Sequence, residues 1–127
     1  MTKTNPVIYF EIPVNDLNRA ENFYRNVFGF SFEREIIDHY EMTLFPFEDT
    51  RSGISGALAK GDVYKPSKEG VIIYFRTANI DQTLQKVLAQ NGTILYPKTI
   101  NENYGFIVAE FQDSEGNRIA IQEIIEK

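Results

Sequence analysis

The sequence predicts an α+β fold in which paired βαβββ modules form two curved mixed sheets around a shared cleft. Two observations carry this prediction: the same order of elements occurs in both halves of the chain, and capping and turn residues recur at one constant spacing. That spacing is 63 residues for three pairs: Asp16 and Asn79, Gly29 and Gly92, and Gly53 and Gly116. A duplicated unit within one domain explains why helix start, helix end and a later turn share one register.

The first module is predicted over residues 6–59. Alternating residues in Val7–Val14 indicate a strand whose apolar face is Ile8, Phe10, Ile12 and Val14 and whose other face carries Tyr9 and Glu11. The next segment is predicted to be a helix, because Asp16 can accept a hydrogen bond from its first turn and Gly29 can end it in the left-handed conformation. Three strands follow, near residues 30–36, 40–47 and 52–59.

The second module is predicted over residues 71–124, and the polar segment 60–70 reads as the linker between the two modules. Asn79 with Gln82 resembles a capping box at the start of its helix. The predicted apolar stripe of that helix is Ile80, Leu84, Val87 and Leu88. Its strands are expected at 71–76, 93–98, 105–112 and 118–123. Because the two modules pair around one cleft, residues 1–127 are predicted to form a single domain.

The composition removes several classes of protein. The chain has 127 residues, of which 43% are hydrophobic and 24% charged, so it can bury a core and is not disordered. It has no cysteine, which excludes disulfides, thiolate metal sites and a cysteine nucleophile. With a single histidine, His39, one chain cannot build a two-histidine metal site. His39 lies in a predicted hairpin turn, where a surface position is expected.

Charge and hydropathy indicate a soluble cytoplasmic protein that binds neither nucleic acid nor membranes. The formal net charge of −5 is poorly suited to a phosphate backbone, which needs a basic patch. The longest unbroken apolar run, Val71–Phe75, is far shorter than the roughly 20 residues that span a bilayer. The N-terminal residues contain no apolar signal-peptide core.

A ligand cleft follows from the way such modules pack. One helix covers only one face of its sheet, so the face that carries Tyr9 and Glu11 is left open. Two modules with the same open face can combine those faces into a cleft that suits a small ligand. The alternative is that these faces simply meet water, as in many antiparallel sheets.

The sequence resembles the vicinal-oxygen-chelate superfamily, which includes glyoxalase I, bleomycin-resistance proteins and extradiol dioxygenases. The resemblance covers nearly the whole chain. Its clearest segments are Phe10-Glu-Ile-Pro-Val-Asn-Asp-Leu-Asn-Arg-Ala-Glu-Asn-Phe-Tyr24, Val27-Phe-Gly-Phe30, Gly70–Gly92 and Phe111-Gln-Asp-Ser-Glu-Gly-Asn-Arg-Ile119. It implies the fold of paired modules and a homodimer.

The resemblance also implies four metal-ligand positions. Two lie seven residues before the helix caps and two lie four residues after the turn glycines, and in this sequence they are Tyr9, Ile72, Ala57 and Ala120. Alanine and isoleucine side chains have no donor atom, and a neutral phenol is a poor ligand for Mg, Mn or Zn. The sequence therefore predicts no metal and no cofactor.

Strand parity predicts which polar residues line the cleft. They are Tyr9, Glu11, Tyr74, Arg76, Arg118 and Gln122, with Glu41 and Glu110 as further polar candidates. The predicted ligand-binding set adds Ala57, Ile72 and Ala120, which are the remaining positions that the resemblance implies. Glu11 could pair with Arg76, or it could act as a base in an apolar cleft. Arg76 or Arg118 could clamp a carboxylate or phosphate with its planar guanidinium.

Three functions fit these residues. The first is metal-free binding of a small planar or aromatic molecule in the cleft. The second is a cofactor-free isomerase or lyase with Glu11 as base, and a metal-dependent glyoxalase or dioxygenase is the less favoured enzyme. The third is a structural or regulatory partner domain, joined to a second copy through a strand edge. The residues leave open whether any reaction is catalysed.

Overall fold

A computed structural model describes residues 5–48 and 53–125 and contains two helices and eight strands in that part of the chain. The first module consists of β1 (Phe10–Val14), α1 (Leu17–Phe28), β2 (Glu33–Ile37), β3 (Tyr40–Leu44) and β4 (Gly56–Lys60). The second consists of β5 (Ile73–Arg76), α2 (Ile80–Ala89), β6 (Thr93–Asn101), β7 (Phe106–Gln112) and β8 (Arg118–Ile124). The predicted pair of βαβββ modules is confirmed.

Each module forms one mixed sheet of four strands. The strand orders are β1-β4-β3-β2 and β5-β8-β7-β6, and in both sheets the first strand runs parallel to its neighbour whereas the other pairs are antiparallel. Because the two orders match element for element, the repeat of 63 residues in the sequence is a repeat of topology.

Several strands are shorter than predicted. The first begins at Phe10 rather than Val7, since pairing with β4 starts where Phe10 lies opposite Gly56. Ile8, predicted on the buried face, is 85% exposed. The fourth begins at Gly56 rather than residue 52, and most of the predicted turn at residues 48–51 lies outside the described residues. The sixth is longer than predicted and contains register shifts on both sides of Tyr96.

Three of the four predicted helix ends follow the sequence, but α2 ends at Ala89, and the residue in the left-handed conformation after it is Asn91, with a φ of 66°, rather than Gly92. Asp16 accepts a hydrogen bond from the N–H of Arg19, and Gly29 ends α1 with a φ of 79°. Asn79 accepts from the N–H of Gln82, so half of the predicted capping box forms. The N–H of Asn79 donates instead to the hydroxyl of Thr77.

One core holds both modules together. The buried side chains of α1 and α2 share a single apolar cluster with residues from both sheets, including Ile12, Leu58, Phe111 and Ile121. The predicted stripe of α2 is wrong at one position, because Leu88 is 56% exposed. It reaches solvent because α2 turns toward the core through Ile80, Thr83 and Val87.

The two sheets approach each other at their edge strands β1 and β5. Phe10 and Phe75 both lie on the helix-covered faces, and their ring centroids are 6.1 Å apart with the rings nearly perpendicular. Each sheet also has an opposite face that neither α1 nor α2 covers, which we call its open face. The open faces of the two sheets therefore lie side by side and together form the open face of the molecule. No helix among residues 5–48 and 53–125 is long and apolar enough to cross a bilayer.

Candidate functional site

The four metal-ligand positions that the resemblance implies offer a single donor group between them. Tyr9 and Ala57 belong to the first module, and Ile72 and Ala120 belong to the second. Ala57 and Ala120 are completely buried. Only the Tyr9 phenol could donate an electron pair, and a neutral phenol is a poor metal ligand. Within residues 5–48 and 53–125 no three His, Cys, Asp or Glu side chains are grouped to hold an ion, and the residues at these positions do not fit a metal.

Glu11 accepts a phenol hydrogen bond on each carboxylate oxygen. Tyr9 donates to Oε2 at 3.0 Å, and Tyr64 donates to Oε1 at 2.8 Å. Burial and then the Glu11 hydrogen bond raise the pKa of Tyr9 to about 12. The Glu11 hydrogen bond is the main cause that raises the pKa of Tyr64, also to about 12. Both phenols therefore stay protonated near neutral pH and act as donors.

Glu11 and Arg76, predicted as a possible ion pair, have different neighbours. The oxygens of Glu11 face the two phenols. The guanidinium of Arg76 points toward the first module, where its Nη2 lies 3.5 Å from the point at which a Cβ on Gly53 would stand. Gln122 lies opposite Arg76 across the parallel strand pair, on the same open face.

Tyr40 and Tyr64 cover the open face of the first sheet. Their ring centroids are 5.4 Å apart and the rings are nearly perpendicular. Met42, Ala57 and Ala59 lie beneath them and are at most 2% exposed. The sequence placed Tyr64 in the linker and assigned no face to the strand of Tyr40 and Met42. The alternation of Tyr40, Met42 and Leu44 is a signal that could have placed that strand on the open face.

The second sheet carries a row of side chains across its open face. In register across β5, β8, β7 and β6, the row is Tyr74, Ala120, Glu110 and Tyr96. Tyr74 is 52% exposed and Tyr96 is 47% exposed, whereas Ala120 between them is buried. Tyr96 is absent from the set predicted from the sequence, because the register shifts in β6 disturb simple alternation.

Arg118 pairs with Glu110 rather than standing ready for an anion. Both Nε and Nη2 of Arg118 lie 2.6 Å from Oε1 of Glu110, whose side chain is 12% exposed. An arginine already bound in this way by a carboxylate has less free charge for a ligand anion. The predicted role of Arg118 as an anion clamp is therefore weakened by its partner.

A small cavity lies where the two modules meet. Its volume is about 210 Å³, and its lining includes Glu11 and Pro13 of β1, Lys65 and Ser67 of the linker, and Arg118. The structure thus brings Glu11 and Arg118 to one cavity. Sites for drug-sized ligands usually measure about 300–1,000 Å³. This cavity is smaller than such a site but could hold about one aromatic ring, since an apolar cavity of about 150 Å³ already binds benzene.

The hairpin between β7 and β8 fixes how the modules sit relative to each other. Three polar residues in it, Asp113, Glu115 and Asn117, are 4%, 7% and 5% exposed. Asn117 donates to the carbonyl of Pro13 in the first module and accepts from the N–H of Ser67 in the linker. The sequence predicted only a tight turn here, although these residues position the strand that carries Glu11.

Glu115 extends this contact to the start of α1. It accepts from the N–H groups of Asn15 and Asp16 and from the guanidinium of Arg19. Burial alone would raise the pKa of Glu115, but the Arg19 side chain and the two N–H groups outweigh it and lower that pKa. A negative charge at this end of α1 also interacts favourably with the helix dipole.

Comparisons with known proteins agree with this architecture. A sequence model described as the Glyoxalase/Bleomycin resistance protein/Dioxygenase superfamily matches residues 7–121. A search of curated proteins gave no match.

Solved structures share the fold at low sequence identity. A glyoxalase I mutant from Zea mays is 14% identical with a TM-score of 0.73, and the match covers 94% of this chain and 45% of the maize chain. A glyoxalase/bleomycin resistance protein/dioxygenase family enzyme from Burkholderia phytofirmans is 17% identical with a TM-score of 0.72, covering 92% and 97% of the two chains. The antibiotic binding protein TnmS3 from Streptomyces is 21% identical with a TM-score of 0.65, covering 98% and 99%. The family match over most of the sequence and the shared topology establish that the chain belongs to the Glyoxalase/Bleomycin resistance protein/Dioxygenase superfamily.

Proposed function

We propose that this protein binds a small planar or aromatic molecule on its open face without a metal. The observation that carries this proposal is the row across the second sheet, in which half-exposed Tyr74 and Tyr96 stand on either side of buried Ala120 and of Glu110, which is paired with Arg118. Large aromatic side chains left half-exposed on a sheet face are typical of a ligand-binding surface rather than of a core.

The spacing of the row suits a flat ligand. Neighbouring strands lie about 4.8 Å apart, so that Tyr74 and Tyr96, three strand spacings apart, are separated by about 14 Å. Ala120 next to Tyr74 has no exposed surface, so a ligand there would lie over the side chains that cover it, beside the Tyr74 ring. An aromatic ring placed there can contact a tyrosine ring edge-to-face or in an offset stack.

The chemistry of the metal-ligand positions supports the metal-free part of the proposal. A metal site needs several donor atoms that converge, and Ala57, Ile72 and Ala120 supply none. We therefore propose no resident metal and no cofactor.

The similarity to TnmS3 fits a binding function, because that neighbour is described as an antibiotic binding protein. The hydrogen bonds of Glu11 favour a binding function over catalysis with Glu11 as the base, because each of its oxygens already accepts a hydrogen bond from a phenol. The cofactor-free isomerase or lyase with Glu11 as base is the alternative. If Glu11 is the base, Glu11→Gln should abolish turnover. Unchanged turnover in Glu11→Gln would contradict that assignment.

A homodimer in the cytoplasm completes the proposal. All five residues of edge strand β2 are exposed, and Ile36 within it is 73% exposed. Exposed apolar residues on an edge strand favour association with another chain.

The test is a binding screen with matched tyrosine variants. Thermal shift and calorimetry against naphthols, flavonoids and anthraquinones should give at least one ligand in the presence of a chelator. Tyr74→Ala and Tyr96→Ala should each weaken it about tenfold, which corresponds to about 1.4 kcal/mol. Leu88→Ala is the control, because Leu88 is 56% exposed on α2, away from the open face. Equal affinity in all three variants, or stoichiometric metal in protein purified without chelator, would contradict the proposal.

A further inference from the structure

Tyr64 of the linker lies on the open face of the first sheet. The chain turns back directly after β4, where the N–H of Tyr64 donates to the carbonyl of Gly61 at 3.0 Å. The Tyr64 ring then packs on Met42, Ala57 and Ala59, which form a small apolar cluster separate from the main core. A side chain from the linker therefore fills a position that faces away from both helices.

The position that Tyr64 fills has a floor, a wall and a polar end. The floor is the cluster of Met42, Ala57 and Ala59. The wall is the ring of Tyr40, which is nearly perpendicular to that of Tyr64. The polar end is the carboxylate of Glu11, whose Oε1 accepts a hydrogen bond of 2.8 Å from the Tyr64 hydroxyl.

Two residues of the turn that precedes Tyr64 also contact the wall. The Tyr40 hydroxyl donates to Asp62 at 3.0 Å. The Tyr40 ring also lies against Gly61, since a Cβ on that glycine would stand only 2.2 Å from a ring carbon. The wall therefore has supports that remain when the Tyr64 ring leaves.

We propose that this position is a phenol-binding subsite, which Tyr64 fills when no ligand is present and vacates when a hydroxyaromatic ligand binds. The inference rests on the proposed function and names the ligand class for one half of the open face. A subsite that accommodates the phenol of tyrosine offers the same contacts to the phenol of a ligand. Tyr9 donates to the other oxygen of Glu11, which leaves Oε1 for the ligand hydroxyl.

Glu11 determines which rings can enter. An ionised carboxylate only accepts hydrogen bonds, so the entering ring must carry an O–H or N–H donor. A ring with its own carboxylate would face like-charge repulsion, and a methyl ether would leave Oε1 without its donor. The subsite therefore selects phenols over aryl ethers and benzoates.

Tyr64 can leave without opening the main core. Its hydrogen bond to Glu11 is exposed to solvent, where water can replace the lost donor. Its chain neighbours Val63 and Lys65 are both exposed, and Tyr64 is not a member of the cluster that joins the two modules. Rotation of the Tyr64 side chain exchanges one ring for another and leaves the turn at Gly61 and Asp62, the helices and the sheets in place.

The direct test removes the Tyr64 ring and supplies it as p-cresol, which is the side chain of tyrosine without its backbone. Tyr64→Ala should bind p-cresol about tenfold more tightly than the unaltered protein or Tyr104→Ala does. It should also prefer p-cresol to 4-methylanisole and 4-methylbenzoate, which keep the ring but lack the neutral donor. Adding Glu11→Gln should remove the discrimination against 4-methylbenzoate. Equal binding of p-cresol by Tyr64→Ala and Tyr104→Ala, or equal binding of p-cresol and 4-methylanisole, would overturn the subsite.

A second measurement uses the intact protein, in case Tyr64→Ala does not fold. Fluorine NMR of protein labelled with 3-fluorotyrosine, with the Tyr64 signal assigned from Tyr64→Phe, should show that signal move to a solvent-exposed position at saturating p-cresol. An unchanged signal at saturation would overturn the subsite.

The two proposals fail separately. Aromatic ligands that depend on Tyr74 and Tyr96 but leave the Tyr64 signal in place would overturn the subsite and support the broader binding function. Displacement of Tyr64 by p-cresol, with no aromatic ligand sensitive to Tyr74 or Tyr96, would support the subsite and contradict the proposed row across the second sheet.

Discussion

The buried phenol of Tyr24 in α1 donates a 2.7 Å hydrogen bond to Oδ2 of Asp113, which lies 89 residues further along the chain. Tyr24 is completely buried and Asp113 is 4% exposed. Burial, followed by the charge and hydrogen bond of Asp113, raises the pKa of Tyr24 well above its usual value. Burial likewise raises the pKa of Asp113, and its hydrogen-bond donors oppose that rise. This pair joins the first helix to the hairpin of the second module.

Tyr24→Phe should destabilise the protein by about 1–3 kcal/mol, because it leaves a buried carboxylate without one of its donors. Urea denaturation at neutral pH measures this effect as a lower midpoint with an unchanged slope. Tyr104→Phe removes an exposed hydroxyl and should leave the midpoint unchanged. Equal midpoints for the two variants would show that the Tyr24–Asp113 contact does not stabilise the fold.

Glu115→Gln should lower stability at pH 7 by about 1–3 kcal/mol, since the neutral amide loses the charge-assisted bond to Arg19. The folded pKa of Glu115 is below its usual value of 4.5, so the carboxylate stabilises the folded state above that pH. This stabilisation is lost as the pH falls through the folded pKa. The difference between Glu115→Gln and the unaltered protein should therefore shrink below pH 4.5.

Denaturation curves at several pH values check this dependence. Glu102→Gln, at an exposed position in the turn after β6, is the matched control. A stability difference for Glu115→Gln that stays constant from pH 7 into the acid range would contradict the assigned role of the carboxylate.

Gly61→Ala should disturb the wall of the open face, because its Cβ would stand 2.2 Å from the Tyr40 ring. We expect a loss of about 1–3 kcal/mol, as for other overpacked sites, together with changed NMR signals for Tyr40 and Tyr64. Lys60→Ala, at the exposed preceding residue, should leave those signals in place. Unchanged tyrosine signals in Gly61→Ala would show that the linker does not depend on this close contact.

Asp16→Ala and Asn79→Ala test the two equivalent helix caps. Each removes a side-chain oxygen that accepts from the first turn of its helix and should cost about 1 kcal/mol. Thermal or urea denaturation of both variants measures the loss, with Asn103→Ala in the turn after β6 as a control. The repeat suggests that both caps stabilise their helices. Two variants that are as stable as the control would contradict this.

Local signals in the sequence predicted the fold well. The caps at Asp16 and Asn79 and the turn at Gly29 depend on hydrogen bonds and backbone angles within a few residues, and these are readable from residue type. The turn at His39 also formed as predicted, with a φ of 71°. The paired modules followed because both halves repeat the same local signals.

Long-range contacts could not be predicted in the same way. Glu115 reads as a polar turn residue, and only the fold brings it to the N–H groups of Asn15 and Asp16, about a hundred residues earlier. Tyr64 reads as part of a polar linker, because nothing nearby in the sequence shows that the chain turns back onto the sheet. Alternation placed Glu11 correctly on the open face but could not identify Tyr64 as its partner.

Amide NMR mapping of a bound aromatic ligand tests the central claim most directly. The measurement titrates the unaltered protein with the best ligand of the aromatic screen, in the presence of a chelator, and follows every assigned backbone amide. Binding to the open face predicts the largest shifts at and next to Tyr74, Tyr96 and Ala120, with little change at Leu88 on the outer side of α2. Largest shifts on the exposed surfaces of α1 and α2, or binding that disappears when the chelator is added, would contradict it.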